Sequence, residues 1–181
     1  MTYNLAIFCG SSSPKSETLM RGIKSVIESL SDVHGVNLVY GGAKIGVMGE
    51  VAETFLRKSK KVIGVMPSFL KDREVHHESL SEFHETNTMH DRKQKMYDLA
   101  DGFLVLPGGF GTLDELFEIS CWSQLDQHGK PICVFNGEGF YNPLEKLMES
   151  MLQDNFITQE HKNIIQFASN ASEIRQYLRL G

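Results

Sequence analysis

Short apolar runs alternate with longer segments of helical periodicity along nearly the whole chain. The strand-like runs cover residues 5–9, 36–40, 62–66, 80–85, 102–106, 131–135 and 164–168. The helical segments cover residues 15–30, 45–57, 88–100, 112–125, 140–153 and 172–180. Strands that alternate with helices pair in parallel, and strands covered on both faces are continuously apolar. The sequence therefore predicts an α/β fold with a doubly wound, mostly parallel sheet and helices on both faces.

Length and charge narrow the class of protein further. At 181 residues the chain has the length of one ordinary domain, so we expect a single domain over residues 1–181. Its 18 Lys and Arg residues against 23 Asp and Glu residues give a net charge of −5. Such a chain has no global positive field that would hold a nucleic acid or an anionic membrane, so neither is an expected partner. An anionic ligand must then bind at a local site.

Cysteine usage indicates the compartment. Cys9, Cys121 and Cys133 are an odd number of cysteines without C-x-x-C spacing. This fits a reducing compartment better than a disulfide framework or a zinc cage. The N-terminus lacks a basic segment, and no window approaches the roughly 18 apolar residues of a membrane span. We therefore expect a cytoplasmic protein.

Three predicted strands end in turns that are rich in glycine or serine and lead into helices. The turns cover residues 9–13, 41–49 and 107–112. In a parallel sheet all such turns lie at the carboxyl edge, where ligands of open α/β folds bind. Glycine permits close backbone approach, and a helix N-terminus offers unpaired N–H groups and a positive dipole end. Three turns together favour a phosphate or nucleotide site, although any one of them could be only a tight connection.

Several familiar catalytic and metal motifs are missing. The spacing G-x-G-x-x-G does not occur, and the run from Gly41 to Gly46 is followed by Val47 where a P-loop requires lysine. There is no G-x-S-x-G nucleophile elbow. An H-E-x-x-H zinc motif starts at His84, but Thr88 occupies the position of the second histidine. The sequence predicts no metal site.

Two cations lie where helix electrostatics disfavours them. Met89 and Met96 belong to one apolar stripe of the helix that would begin after Thr88. Arg92 and Lys93 flank this stripe, close to the helix N-terminus, where the dipole opposes positive charge. A partner anion, either a ligand phosphate or a carboxylate, would explain this placement. The alternative is that both side chains extend to water.

Glu115 follows the third turn and would stand on the first turn of the next helix, beside any anion that the turn holds. The spacing Thr112-x-x-Glu115 is also that of a capping box, in which the carboxylate only closes the helix start. Spacing alone leaves both roles open. Asp114 and Glu118 on the same helix are expected to face solvent or to complement the dipole.

Two motifs together are highly specific. The runs Met89-His-Asp-Arg-Lys93 and Pro107-Gly-Gly-Phe-Gly-Thr-Leu-Asp-Glu115 resemble the paired signature of the LONELY GUY (LOG) family. Further similar segments lie at residues 8–12, 40–42, 45–49, 62–67, 73–74, 122–125 and 139–142, so the resemblance covers most of the chain. It departs at Asp114, where many members have glutamate, and at Cys121, where threonine is expected.

The resemblance implies a homodimer of Rossmann-like subunits. It implies hydrolysis of the N-glycosidic bond of cytokinin riboside 5′-monophosphates or AMP to a free base and ribose 5-phosphate, with no cofactor and no metal. Arg92 and Glu115 match the catalytic pair. The resemblance and the glycine turns together predict the residues that bind substrate. These are Gly10, Ser11, Gly41, Gly42, Glu74, Met89, Arg92, Lys93, Gly108, Gly109, Phe110, Gly111, Thr112, Leu113 and Asp114.

Two other classes of function stay open at this point. A pyridoxal-phosphate decarboxylase needs a Schiff-base lysine and an acid for the ring nitrogen, and no placement in the sequence singles out either. A nucleotide-binding or sensor protein without catalysis would keep the same turns. The presence of both Arg92 and Glu115 argues against such a sensor.

Overall fold

The apolar runs form the strands of one sheet. The computed structural model describes residues 2–71 and 76–180. Within these residues the strands are β1 (Tyr3–Phe8), β2 (Val36–Tyr40), β3 (Val62–Pro67), β4 (Glu82–Thr86), β5 (Gly102–Val105), β6 (Ile132–Phe135) and β7 (Ile165–Ala168). Neighbouring strands are parallel throughout, in the order β4-β3-β2-β1-β5-β6-β7. The predicted doubly wound α/β sheet is therefore confirmed.

Helices connect the strands. They are α1 (Glu17–Ser31), α2 (Gly46–Arg57), α3 (Met89–Leu99), α4 (Phe110–Gln124), α5 (Asn142–Gln153), α6 (Gln159–Lys162) and α7 (Ala171–Tyr177). The helix that carries Arg92 starts as predicted, because Thr88 and Asp91 form a reciprocal capping box. Among the described residues, no helix combines the length and the apolar character needed to cross a bilayer.

The alternation of side chains along each strand divides the core into two layers. On β1, Leu5 and Ile7 pack with buried residues of α1, α2 and α7. Ala6 and Phe8 point the other way, towards buried residues of α3, α4 and α5. Both faces of the sheet are thus covered, which explains why the central strands have no polar face.

Most predicted boundaries lie close to the observed ones, but three differences matter. Helix α4 begins at Phe110 rather than at residue 112, because Gly109 is its N-cap. Helix α5 begins at Asn142 rather than at residue 140, because a 3-10 turn (Gly137–Gly139) precedes it. Helix α6 was not predicted, since four residues are too few to show a helical period.

The order of the strands places a crevice at the centre of the sheet. Strands β1 and β5 are neighbours, but the chain leaves β1 towards β2 on one side and β5 towards β6 on the other. Loops at the carboxyl ends of such a pair diverge, and ligands of open α/β folds bind between them. The first and third glycine turns of the sequence flank this point.

Candidate active site

Two adjoining cavities open at the carboxyl ends of β1 and β5. The first, the serine cavity, has a volume of about 280 Å³ and is lined by Gly10, Ser11, Ser12, Ser13, Pro14, Pro107, Gly108, Gly109 and Phe140. The second, the arginine cavity, also has a volume of about 280 Å³ and is lined by Cys9, Gly10, Ser11, Met48, Leu70, Met89, Arg92, Gly109, Phe110, Gly111, Thr112 and Glu115. Three residues line both cavities, so one extended ligand could occupy the two.

The turns after β1 and β5 meet at their backbones. The Gly10 N–H donates to the Pro107 carbonyl at 3.3 Å. A Cβ at Gly108 would overlap Thr112 Oγ1 and come within 2.9 Å of the Gly10 nitrogen, so this close approach requires glycine. No side chain caps the start of α4. Its first-turn residues, which line the arginine cavity, can therefore offer N–H groups and the positive dipole end to an anion.

Arg92 points inward from the first turns of α3. Its Nε donates to the Val65 carbonyl at 3.2 Å, and its Nη1 lies 3.9 Å from Met89 Sδ. Its Nη2 lies 3.6 Å from Glu115 Oε1, and the side chains of this pair are each only 7% exposed. The alternative in which Arg92 extends to water is wrong, because the carboxylate and the end of β3 provide partners inside. The Glu115 carboxylate is thus a partner anion of Arg92, of the kind that the sequence predicts.

Gly41 makes room for this arginine. A Cβ at Gly41 would overlap the Arg92 guanidinium and come within 2.9 Å of Met48 Sδ. Gly41 and its neighbour Gly42 are buried and are absent from the linings of both cavities. The structure therefore gives Gly41 a packing role behind the site, which differs from the substrate contact expected of it.

Glu115 is in the second turn of α4, where it cannot close the helix start. Because α4 begins at Phe110, Thr112 is an interior residue of the first turn and is itself buried. The capping-box alternative for Thr112 and Glu115 is therefore wrong. The Glu115 carboxylate instead lies inside the molecule, on the wall of the arginine cavity opposite Arg92.

Lys93 turns away from the cavities and towards α4. Its Nζ lies 3.0 Å from Asp114 Oδ2 and 3.0 Å from Glu118 Oε1. Burial alone would lower the pKa of Lys93, but its hydrogen bonds to Glu118 and Asp114 outweigh this and raise the pKa. Glu118, expected to face solvent, is only 20% exposed and pairs with Lys93.

Cys9 brings a thiol to the arginine cavity. Burial raises its pKa, and the nearby Glu115 carboxylate adds to this increase, whereas Arg92 acts in the opposite direction. The thiol therefore stays protonated at neutral pH. A protonated thiol is a weak nucleophile, so Cys9 is a poor candidate for covalent catalysis.

The structure brings most of the predicted site residues together. Those that line the cavities are Gly10, Ser11, Met89, Arg92, Gly108, Gly109, Phe110, Gly111, Thr112 and Glu115. Those absent from both linings are Gly41, Gly42, Lys93, Leu113 and Asp114. Glu74 lies outside the described residues.

Sequence reasoning missed several apolar side chains of the site. Met48 and Leu70 line the arginine cavity, and Phe140 lines the serine cavity. Tyr141, the residue after Phe140, is buried and donates from its hydroxyl to the Leu106 carbonyl at 3.0 Å, beside the third glycine turn. A single apolar side chain carries no functional signal in one sequence, and only the resemblance at residues 139–142 pointed to the segment of Phe140 and Tyr141.

Solved structures support the fold. The molybdenum cofactor binding protein from Rippkaea orientalis matches with a TM-score of 0.71 and 18% identity, over 99% of this chain and 96% of that one. The molybdenum cofactor carrier protein from Chlamydomonas reinhardtii matches with a TM-score of 0.67 and 14% identity, over 99% of both chains. At these identities the likeness shows the fold alone. Fold and cleft together define a Rossmann-type α/β protein with a candidate ligand site at the switch point of its sheet.

Sequence comparisons identify the family. A family model described as "Possible lysine decarboxylase" matches residues 48–178. The cytokinin riboside 5′-monophosphate phosphoribohydrolase LOG2 of Arabidopsis thaliana is 36% identical over 96% of this chain and 81% of its own length. LOG5 of the same plant is 38% identical, over 96% and 76%, and LOG of Oryza sativa subsp. japonica is 36% identical, over 94% and 70%. The chain belongs to the LOG family, as the two sequence motifs predict.

Proposed function

We propose that this protein is a phosphoribohydrolase that cleaves the N-glycosidic bond of cytokinin riboside 5′-monophosphates, of AMP, or of both. The observation that carries the proposal is the buried pair of Arg92 and Glu115 on the wall of a cavity formed by glycine turns and an uncapped helix start. The relatives named as phosphoribohydrolases support it, since the chain matches them over nearly its whole length.

The reaction places a carboxylate where positive charge develops. The bond between ribose C1′ and the base nitrogen breaks, the base leaves with the bonding electrons and takes up a proton, and a water oxygen bonds to C1′. The transition state resembles an oxocarbenium ion, as in O-glycoside cleavage. The Glu115 carboxylate stabilises this charge and accepts a proton from the attacking water. Arg92 holds the carboxylate in place and offers its remaining donors to the ribose or the phosphate.

The 5′-phosphate fits the glycine turns. Gly10, Ser11 and Gly109, the N-cap of α4, line both cavities, and the first-turn residues Phe110, Gly111 and Thr112 line the arginine cavity. Backbone N–H groups at a helix start bind phosphate through hydrogen bonds and the dipole. The protein's net charge of −5 gives no general attraction for an anion, so this local cradle must supply the affinity.

A lysine decarboxylase activity, which the description of the family model suggests, fits the site poorly. A Schiff base with pyridoxal phosphate needs a lysine amine in the cavity. Of the described residues that line the serine and arginine cavities, none is a lysine. Lys93, the neighbour of Arg92, is engaged by two carboxylates instead.

We also propose a homodimer in the cytoplasm. The outer surface of α4 supports the dimer, because Phe117 on the helix and Leu125 at its C-cap are both exposed. Phe110, at the start of the same helix and on the rim of the arginine cavity, is 94% exposed. A helix with apolar residues on both its inner and its outer face favours burial on both sides.

The cysteines support the cytoplasmic location. Three free cysteines, two of them buried, agree with a reducing compartment.

The test is product analysis with three substrates. The purified protein is incubated with AMP, with N6-isopentenyl-AMP and with adenosine, and free base and ribose 5-phosphate are separated by chromatography. We expect equimolar base and sugar phosphate from at least one nucleotide, and a severely lower kcat/KM for adenosine. Tight nucleotide binding without base release would instead support the sensor alternative. Similar kcat/KM values for adenosine and AMP would contradict the phosphate cradle.

A further inference from the structure

Lys93 connects the two helices that carry the candidate catalytic pair. It extends from α3 to α4, where Asp114 and Glu118 each place a carboxylate oxygen 3.0 Å from its Nζ. The side chains of Lys93 and Glu118 are only 10% and 20% exposed, so this pair is largely shielded from water, whereas the Asp114 side chain is 58% exposed. Ion pairs of this kind are stronger and better ordered than exposed ones, since the charges are screened less.

The cluster lies directly beside the reacting groups in sequence. Lys93 follows Arg92 on α3, and Asp114 precedes Glu115 on α4. The link between Arg92 and Glu115 is itself long, at 3.6 Å, and it lines a cavity where a substrate would intrude. The shorter contacts of Lys93 are therefore better suited to set the spacing of the two helices.

Apolar packing anchors α3 mainly through its C-terminal half. There Met96 is buried, and Tyr97 and Leu99 pack partly buried against the core. In the N-terminal half the buried residue is the charged Arg92, so the position of this half depends more on polar contacts. Lys93 supplies two such contacts to the neighbouring helix, at the end of α3 where Arg92 stands.

We propose that Lys93 is a positioning residue for the hydrolysis, which holds Arg92 and Glu115 at their working distance through its ion pairs to Glu118 and Asp114. This inference rests on the proposed function and replaces the substrate contact that the resemblance implies for Lys93. A substrate contact is the weaker explanation, because Lys93 lines neither cavity and two carboxylates already balance its charge.

The experiment compares removal of the charge with its relocation. Lys93→Met keeps most of the apolar stem and removes the ammonium. The double variant Lys93→Glu with Glu118→Lys restores opposite charges across the helices, and the new lysine would lie one turn after Asp114, a favourable i, i+4 pair. Lys58→Met is the matched control. Lys58 also contacts two carboxylates, Asp32 at 2.7 Å and Glu28 at 3.7 Å, but these lie at the C-terminal end of α1. All variants are assayed for kcat, KM and melting temperature.

We expect Lys93→Met to lower kcat on the order of 10²-fold, because a displacement of about 1 Å at the reacting groups has that effect, with little change in KM. The charge exchange should recover most of the lost kcat, and Lys58→Met should keep wild-type kcat. If the exchange leaves kcat low and Lys93→Met mainly raises KM, Lys93 contacts the substrate and the inference is wrong. Wild-type kcat in Lys93→Met, or a change in melting temperature alone, overturns it as well. Absence of hydrolysis by the wild-type protein would instead contradict the proposed function.

Discussion

At the scale of single residues, the most informative feature is a charged side chain inside the molecule. Burying a guanidinium costs free energy unless its donors find partners. Arg92 meets this cost with the Val65 carbonyl and the Glu115 carboxylate, in a space that exists because residue 41 has no side chain. The position of Arg92 thus depends on a glycine that is absent from the linings of both cavities.

Gly41→Ala should therefore impair catalysis. The added methyl group would overlap the Arg92 guanidinium, so the arginine must move, and a displacement of about 1 Å can cost on the order of 10²-fold in rate. Gly41 is not among the residues with positive φ, so backbone strain would not explain the loss. Gly129→Ala is the control, because a Cβ there meets nothing within 4 Å. Wild-type kcat/KM in Gly41→Ala would show that the position of Arg92 is unimportant.

At the scale of secondary structure, the start of each helix decides what its residues can do. Helix α3 begins with a capping box, and this places Arg92 one turn further on with its side chain inward. Helix α4 begins without a side-chain cap at Gly109, which leaves its N-terminus available and places Glu115 in the second turn. One helix start is closed by its own residues, and the other is suited to an anion.

Thr88→Ala tests the closed helix start. Loss of the capping hydroxyl should cost about 1 kcal/mol of unfolding free energy, which corresponds to about 2–4 °C in Tm for a chain of this length. Because the same turn orients Arg92, kcat should fall too. Thr158→Ala removes the equivalent cap of the short helix α6 and should leave kcat unchanged. Equal kcat values in the two variants would indicate that the cap of α3 does not orient Arg92.

Local pattern predicted the sheet and the cap of α3, because strands covered on both faces and capping residues leave signals within a few residues. It misplaced the start of α4, since Gly109 carries no capping side chain and Thr112 imitates one. It also left the partners of Lys93 unknown, because Asp114 and Glu118 are distant in sequence and meet Lys93 only when the two helices pack. Tertiary contacts of this kind have no local signature.

At the scale of the whole molecule, the cleft is formed where the two halves of the sheet diverge, and α4 extends from it to an exposed apolar face. A partner on that face would also approach the rim of the arginine cavity at Phe110. Assembly and catalysis would then be connected through a single helix. The proposed homodimer and the proposed reaction can be tested separately on this helix.

Leu125→Glu tests the dimer. Leu125 is 65% exposed at the end of α4, so the substitution adds a charge without disturbing the core. In a dimer that buries this face, an unpaired carboxylate would be desolvated, and the assembly should dissociate. Light scattering after size-exclusion chromatography should show a dimer for the wild-type protein and a monomer for the variant. If the wild-type protein and the variant form dimers of equal stability, the interface lies elsewhere.

The central claim is that Glu115 and Arg92 act together on the glycosidic bond, and Glu115→Gln tests it most directly. The substitution keeps the shape of the side chain and leaves the start of α4 intact, but it removes the charge that faces Arg92 and the oxocarbenium-like state. The measurement is single-turnover base release from AMP or N6-isopentenyl-AMP by folded protein, together with the Kd of the nucleotide from calorimetry. We predict release slower by about 10² to 10⁴-fold with binding largely retained. Release at the wild-type rate from the variant would contradict the account.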